Sequence, residues 1–181
     1  MEVMLRCELP DRPGALALLA GAVSHAGGDI QAVDVVETAG GRALDDLVVV
    51  VEPAALQGLV DRLRSTEEIQ LVHAGPSRGH PGDAIGRFAI SLEALLTGAM
   101  TPEGAAIALV GGLLRADGVE LASPATAPRQ GSKVLLLGFD HRLLVARRAY
   151  RFTDTERARA AAIVAVCLAA RGRGQSASSS E

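Results

Sequence analysis

Between Leu9 and Leu16 the chain changes its apolar period from two to between three and four, and that change limits what it can fold into. Val3, Leu5, Cys7 and Leu9 alternate with Met4, Arg6 and Glu8, the spacing of a strand with one buried face. Leu16, Leu19, Ala20 and Val23 then recur at helical spacing, and Gly27-Gly28 closes the helix. The octapeptide Leu9-Pro10-Asp11-Arg12-Pro13-Gly14-Ala15-Leu16 must therefore turn a strand into a helix. Pro13 fixes one backbone dihedral and Gly14 permits positive φ. The first amides of a helix lack internal partners and sit at the positive end of its dipole, so such a corner suits an anion. It equally suits a rigid turn that only redirects the chain.

Periodicity extends the pattern to about residue 75. Ile30–Glu37 and Leu44–Val51 are β-rich and joined by Thr38-Ala39-Gly40-Gly41-Arg42, which predicts a hairpin. Pro53 opens a second helix with Leu56, Leu59, Val60 and Leu63 on one side, after which Ile69, Leu71 and His73 alternate again. The order is βαββαβ, a ferredoxin-like α+β plan in which antiparallel strands carry both helices on one face.

Asp11, Pro13, Gly14 and Leu16 at the first corner, with Gly27, Gly28, Asp29 and Ile30 at the second, make residues 1–75 resemble an ACT domain. The resemblance implies a small-ligand sensor of the kind attached to amino-acid-metabolism proteins, paired as a homodimer, with its ligand near the interface. A free amino acid is the implied ligand. Its carboxylate would sit on the amides of Gly14, Ala15 and Leu16, and its ammonium on Asp11, or on Asp29 of the same or a neighbouring chain. Gly28 and Ile30 complete the implied ligand-binding set with Pro13. Many ACT domains that bind amino acids place Asn just before the Ile of the second corner. The acid found here accepts from an ammonium but repels a carboxylate.

Residues 76–83 have the composition of a linker, and a second unit is expected over 84–171. Ile85, Phe88, Ala89, Leu92, Leu95 and Leu96 form one helical stripe; Thr101-Pro102 caps another helix through Ile107, Val110, Leu113 and Leu114. A short strand at Val119–Ala122 follows, then a hairpin of Val134–Phe139 and Arg142–Arg148. Thr153 and Glu156 form a capping box ahead of a helix with Ala160, Ile163, Val164, Cys167 and Leu168 on one face. This ααβββα order ends in a way that is similar to a GAF domain over Val134–Ala170, implying a reduced GAF-like fold. It carries no cysteine placed for a bilin and no Asn-Lys…Phe-Asp-Glu series of the kind that accompanies cyclic-nucleotide binding. Residues 172–181, rich in Gly, Ser and Ala, are expected to be a disordered tail.

Charge and composition narrow the function. Residues 1–79 carry 6 basic and 12 acidic side chains against 12 and 9 in the remainder, so the front half argues against nucleic acid. Arg147, Arg148, Arg151, Arg157 and Arg159 cluster in sequence, but with 17 of the 18 basic residues being Arg the cluster reads as a compositional bias and predicts a solvated face. Cys7 and Cys167 make no disulfide framework, which points to a reducing, cytoplasmic setting, and no run approaches the roughly 20 apolar residues that span a bilayer. His25, His73, His80 and His141 lack metal-ligand spacing, and no Gly-x-Ser-x-Gly elbow occurs. Asp45-Asp46 would point to opposite faces of a strand and are expected at a solvated hairpin edge. The sequence thus predicts a regulatory protein without catalytic residues, metal or cofactor. It would bind a small molecule, an amino acid, and signal through dimerisation or a protein partner. The alternative is an interaction or assembly module with no small ligand.

Overall fold

The alternation that opens the chain becomes β1, Glu2–Pro10, the strand against which the first unit assembles. A computed structural model describes residues 1–77 and 81–178. The chain divides into two units, Met1–Pro81 and Gly82–Glu181. In the first, β1 is flanked by β3 (Arg42–Val50) and β4 (Gln70–Pro76), with β2 (Asp29–Ala39) beyond β3. All neighbours are antiparallel, in the order β2-β3-β1-β4. Helices α1 (Ala15–His25) and α2 (Leu56–Ser65) complete the βαββαβ ferredoxin-like plan, α2 being preceded by a single 3-10 turn at Pro53–Ala55.

Val3, Leu5, Cys7 and Leu9 share one core with Leu19 and Val23 of α1 and Leu59 and Leu63 of α2, so the helices cover that face of β1. Each fully buried Leu or Val contributes about 1.5–3 kcal/mol. The stripe on α1 is rotated from the expected one: Ala15, Leu19, Ala22 and Val23 are buried, whereas Leu16 is 43% exposed. The first turn leaves the corner with Ala15 inward, and Leu16 lies about 100° further round.

The β2–β3 connection is tighter than the five-residue link expected. Ala39 pairs with Arg42, and Gly40 and Gly41 alone make the turn, with φ of 59° and 73°. A two-residue turn of this sort requires positive φ at both positions, which two glycines provide. Both strands therefore run closer to the turn than their β-rich cores suggest.

In the second unit α3 (Pro81–Leu96), α4 (Pro102–Leu114), β5 (Gly118–Ala122), β6 (Val134–Phe139), β7 (Arg142–Arg147) and α5 (Asp154–Ser178) follow the expected ααβββα order, with β7 central in a sheet ordered β5-β7-β6. Of the stripe read on α3, Leu95 is buried while Ile85 and Leu96 are 75% and 64% exposed. Helix α3 begins inside the segment read as a linker, and residues 78–80 lie outside the described residues. Helix α5 continues through residues 172–178, where composition suggested a tail, and residues 179–181 lie outside the described residues. Propagation adds a hydrogen bond per residue once a capped start exists, so α5, established over its Ala- and Arg-rich stretch to Arg171, continues into residues 172–178 despite their two glycines.

That capped start is well defined. Thr153 Oγ1 accepts from the Glu156 amide at 3.1 Å, and Glu156 Oε2 accepts from the Thr153 amide at 2.8 Å. The same Glu156 pairs with Arg148, whose guanidinium also donates to the carbonyls of Leu114, Tyr150 and Arg151 and lies over the Phe152 ring at 4.1 Å. Far from a solvated basic face, Arg148 is buried. Its neighbours disperse: Arg147 pairs with Glu120 at 2.7 Å, and Arg157 donates to the Gly131 carbonyl. Arg148→Met leaves the Glu156 carboxylate buried without its cation, so we expect a loss of about 3–5 kcal/mol for the second unit. Denaturant unfolding followed by circular dichroism measures it, and a loss below about 1 kcal/mol would contradict this assignment.

Candidate functional site

At the end of β1 the backbone is fastened on several sides. The Asp11 amide donates to the Gly41 carbonyl of the β2–β3 turn at 2.8 Å, and the Arg12 amide donates to Pro10 at 2.9 Å. The exposed Arg12 guanidinium pairs with Glu68, just ahead of β4. Gly14 then takes φ of 89° as the N-cap of α1, and no side chain caps the helix. A Cβ built on Gly14 would meet nothing within 4 Å, so what the site requires of this glycine is its left-handed backbone and not room against its own chain.

The amides at this helix start are unequal. Ala15 N–H already donates to the Arg12 carbonyl at 3.2 Å, while neither Gly14 N–H nor Leu16 N–H has a backbone acceptor among the described residues. Gly14 and Leu16 are thus available to an anion, and Ala15, placed in the same trio by the sequence, is engaged and buried. Pro13 is exposed beside them.

The second corner lies elsewhere. Asp29 pairs with Val50, which pairs with Glu2, so Gly28, Asp29 and Ile30 stand at the far end of the sheet from Pro10 and Asp11. Eight strand steps separate the ends, about 26 Å at 3.3 Å per residue. Within one chain the two corners do not meet, and Asp29 would reach the first corner only from another copy. Its exposed carboxylate accepts from Gln31 Nε2 at 2.6 Å. Gly28 has a packing role: its Cβ would approach Val23 Cγ1 at 2.7 Å and Val49 Cγ1 at 2.9 Å. It also closes α1, its amide donating to Val23 O at 3.0 Å while the Gly27 amide donates to Ser24 O at 2.9 Å. Ile30 is half-buried against the first core.

A carboxylate that sequence reasoning set aside is closer to the first corner. Asp45 and Asp46 do face opposite sides of β3, but both are 3% exposed and neither is at a solvated edge. Asp46 is bound by Arg6 through two hydrogen bonds of 2.6 and 2.8 Å. Asp45 is paired in register with Cys7, on the helix-covered face, and its buried Oδ1 has no hydrogen-bond partner among the described residues. Burial, then the charges of Asp46, Asp11 and Asp34, push its carboxyl above the usual range. Burial together with Asp45 and Asp46 likewise pushes the Cys7 thiol up to about 12, so that Cys7 remains a protonated core residue. The only sequence signal for Asp45 was its register: a carboxylate at a position continuing the apolar side, Leu47 and Val49.

A raised folded pKa means that the folded chain holds this proton more tightly than the unfolded one. The stability contributed by neutral Asp45 is complete below the unfolded value, about pH 3.9, and is lost as pH rises through the folded value. Asp45→Asn should therefore gain stability relative to the parent as pH is raised from 4 to 7. Urea midpoints of both proteins across that range measure the gap, and a gap that does not change with pH would contradict the assignment.

No family model and no curated protein matches the sequence. Among solved structures, the chain is similar to the ACT domain from GTP pyrophosphokinase of Chlorobium tepidum, at 18% identity over 41% of this chain and 95% of that one, TM-score 0.34. It is similar also to the ligand-free regulatory subunit of aspartate kinase from Thermus thermophilus, at 14% identity over 95% and 91%, TM-score 0.38. A third is a putative glycine cleavage system transcriptional repressor, at 11% identity over 93% and 91%, TM-score 0.38. Judged on its own topology, with βαββαβ order, β2-β3-β1-β4 pairing and a positive-φ glycine corner between β1 and α1, the first unit has an ACT-like fold.

Proposed function

We propose that this is a non-catalytic regulatory protein whose ACT-like unit binds a free amino acid at the β1–α1 corner. The observation that carries this reading is the start of α1: an eleven-residue helix with no capping side chain among the described residues, a positive-φ Gly14 open to its surroundings, and amides at Gly14 and Leu16 without a backbone acceptor among those residues. A carboxylate there would meet two amide donors and the helix dipole. Asp11, exposed on the same turn, supplies a negative charge for the ligand's ammonium, and Asp29 could add one only from a second copy.

A homodimer is part of the proposal. Strand β2 is an unpaired sheet edge whose Val33 and Val35 are 40% and 52% exposed, and Leu16 and Leu18 on α1 are exposed as well. Apolar side chains on an open edge favour association. Ligand occupancy would act on a partner protein or on the second unit, for which the GAF-like reading is retained as a proposal. No helix among the described residues is long and apolar enough to cross a membrane.

One observation favours the assembly-module reading instead: α3 exposes Ile85, Phe88, Ile90 and Leu96, and a cavity of about 270 Å³ beside it is lined by Phe88, Leu109 and Leu113. Calorimetric titration with the twenty amino acids separates the two. The sensor predicts saturable binding by at least one of them, lost in Gly14→Val, whose branched side chain is strained at φ near 89° by roughly 1–2 kcal/mol and stands over the amides. Absence of heat with all twenty would overturn the amino-acid reading. For the dimer, Val35→Lys should shift the sedimentation coefficient to that of a monomer, and an unchanged value would place the interface elsewhere.

A further inference from the structure

We infer that Asp45 on β3, and not Asp29, is the principal acceptor for the cationic group of the ligand held at the β1–α1 corner, which makes the ligand a zwitterion bound by one chain's own residues. The inference rests on the corner being the binding site.

Asp45 is 3% exposed, and its Oδ1 is shielded from solvent with no hydrogen-bond partner among the described residues. Buried acceptors in folded proteins are almost always satisfied, so an exception calls for an occupant or a proton. The charges that act on Asp45 are those of Asp46, Asp11 and Asp34, all negative, and Arg6, the nearby cation, is committed to Asp46 through both of its carboxylate oxygens. An added positive charge is what this position lacks.

Placement connects Asp45 to the corner. On the helix-covered face of β3 the next residue toward the turn is Ala43, a small side chain whose partner in β1 is Leu9, the last residue of that face before the corner. Asp11 is close enough for its charge to act on Asp45. On the other side of β3, Asp45 pairs with Val35 of the edge strand β2.

The chemical class follows from what stands at the two ends. Free amides at Gly14 and Leu16 accept an anion, and Asp45 with Asp11 accepts a cation, an arrangement complementary to a carboxylate and an ammonium on one small molecule. A metal ion is less well served, because no group of three His, Cys, Asp or Glu side chains among the described residues is placed to hold one.

The test compares an amino acid with its des-amino carboxylic acid, which keeps the anionic end and the side chain. Each of the twenty amino acids is titrated into the full chain, and any that binds is repeated with its des-amino counterpart. The wild-type protein should prefer the amino acid at least tenfold; Asp45→Asn should reduce that preference below threefold while leaving the affinity of the des-amino acid unchanged. Where Asp45→Asn does not unfold cooperatively, Asp45→Val, apolar and similar in size, replaces it. Equal wild-type affinity for the two ligands overturns the inference without any variant. Full amino-acid binding by Asp45→Asn together with its loss in Gly14→Val overturns the role of Asp45 and leaves the corner standing. Absence of binding by all twenty overturns both.

Discussion

Strand β1 must end, and α1 must begin, within a few residues of one another so that the helix can lie back over the strand it has just left. Gly14 makes that reversal possible by taking φ of 89°, a conformation costly to other residues, while the Asp11 amide ties the reversal to the Gly41 carbonyl of the neighbouring turn. Everything else in the first unit follows from this geometry. Val3, Leu5, Cys7 and Leu9 find α1 above them, the core closes with α2, and the Gly14 and Leu16 amides at the start of α1 are left without a backbone acceptor or a capping side chain among the described residues. The requirement of the fold and the opportunity for binding come from the same backbone conformation.

The two glycine corners of the first unit therefore do different work. At Gly28 the adjacent Val23 and Val49 leave no room for a Cβ, and the amides of Gly27 and Gly28 are consumed in ending the helix. At Gly14 there is room, and the amides of Gly14 and Leu16, unlike that of Ala15, have no backbone acceptor among the described residues. That contrast separates a glycine kept for packing from one that leaves a surface open. The uncompensated carboxyl of Asp45 adds to it, because its burial among other acids opposes stability, as functional groups often do.

Much of the fold was legible in the sequence because period is a strong signal where one face is buried. Alternation in β1, the capped start of α4 at Thr101 and the Thr153–Glu156 box on α5 correspond to observed elements. Legibility failed where a single position depends on rotation, register or a distant partner. Leu16 and Ala15 are neighbours in sequence, and only the angle at which α1 leaves the corner decides which is buried. The run of arginines near residue 150 gives no hint that Arg148 reaches the Leu114 carbonyl and Glu156, which turns an apparent basic surface into an internal brace. Gly28 to Ile30 resemble half of a binding site, yet the antiparallel pairing of β1 with β3 and of β3 with β2 carries them to the opposite end of the sheet. Asp45 escaped notice because adjacency to Asp46 was visible and the burial of both was not.

Whether the start of α1 is a ligand site is read out by amide chemical-shift mapping during titration with a pooled set of the twenty amino acids. Binding at the β1–α1 corner gives saturable shifts concentrated at Gly14, Leu16 and Asp45. Saturable shifts confined to Gly28–Ile30, or to the α3–α4 cavity around Phe88 and Leu109, with the β1–α1 corner unmoved, would contradict it.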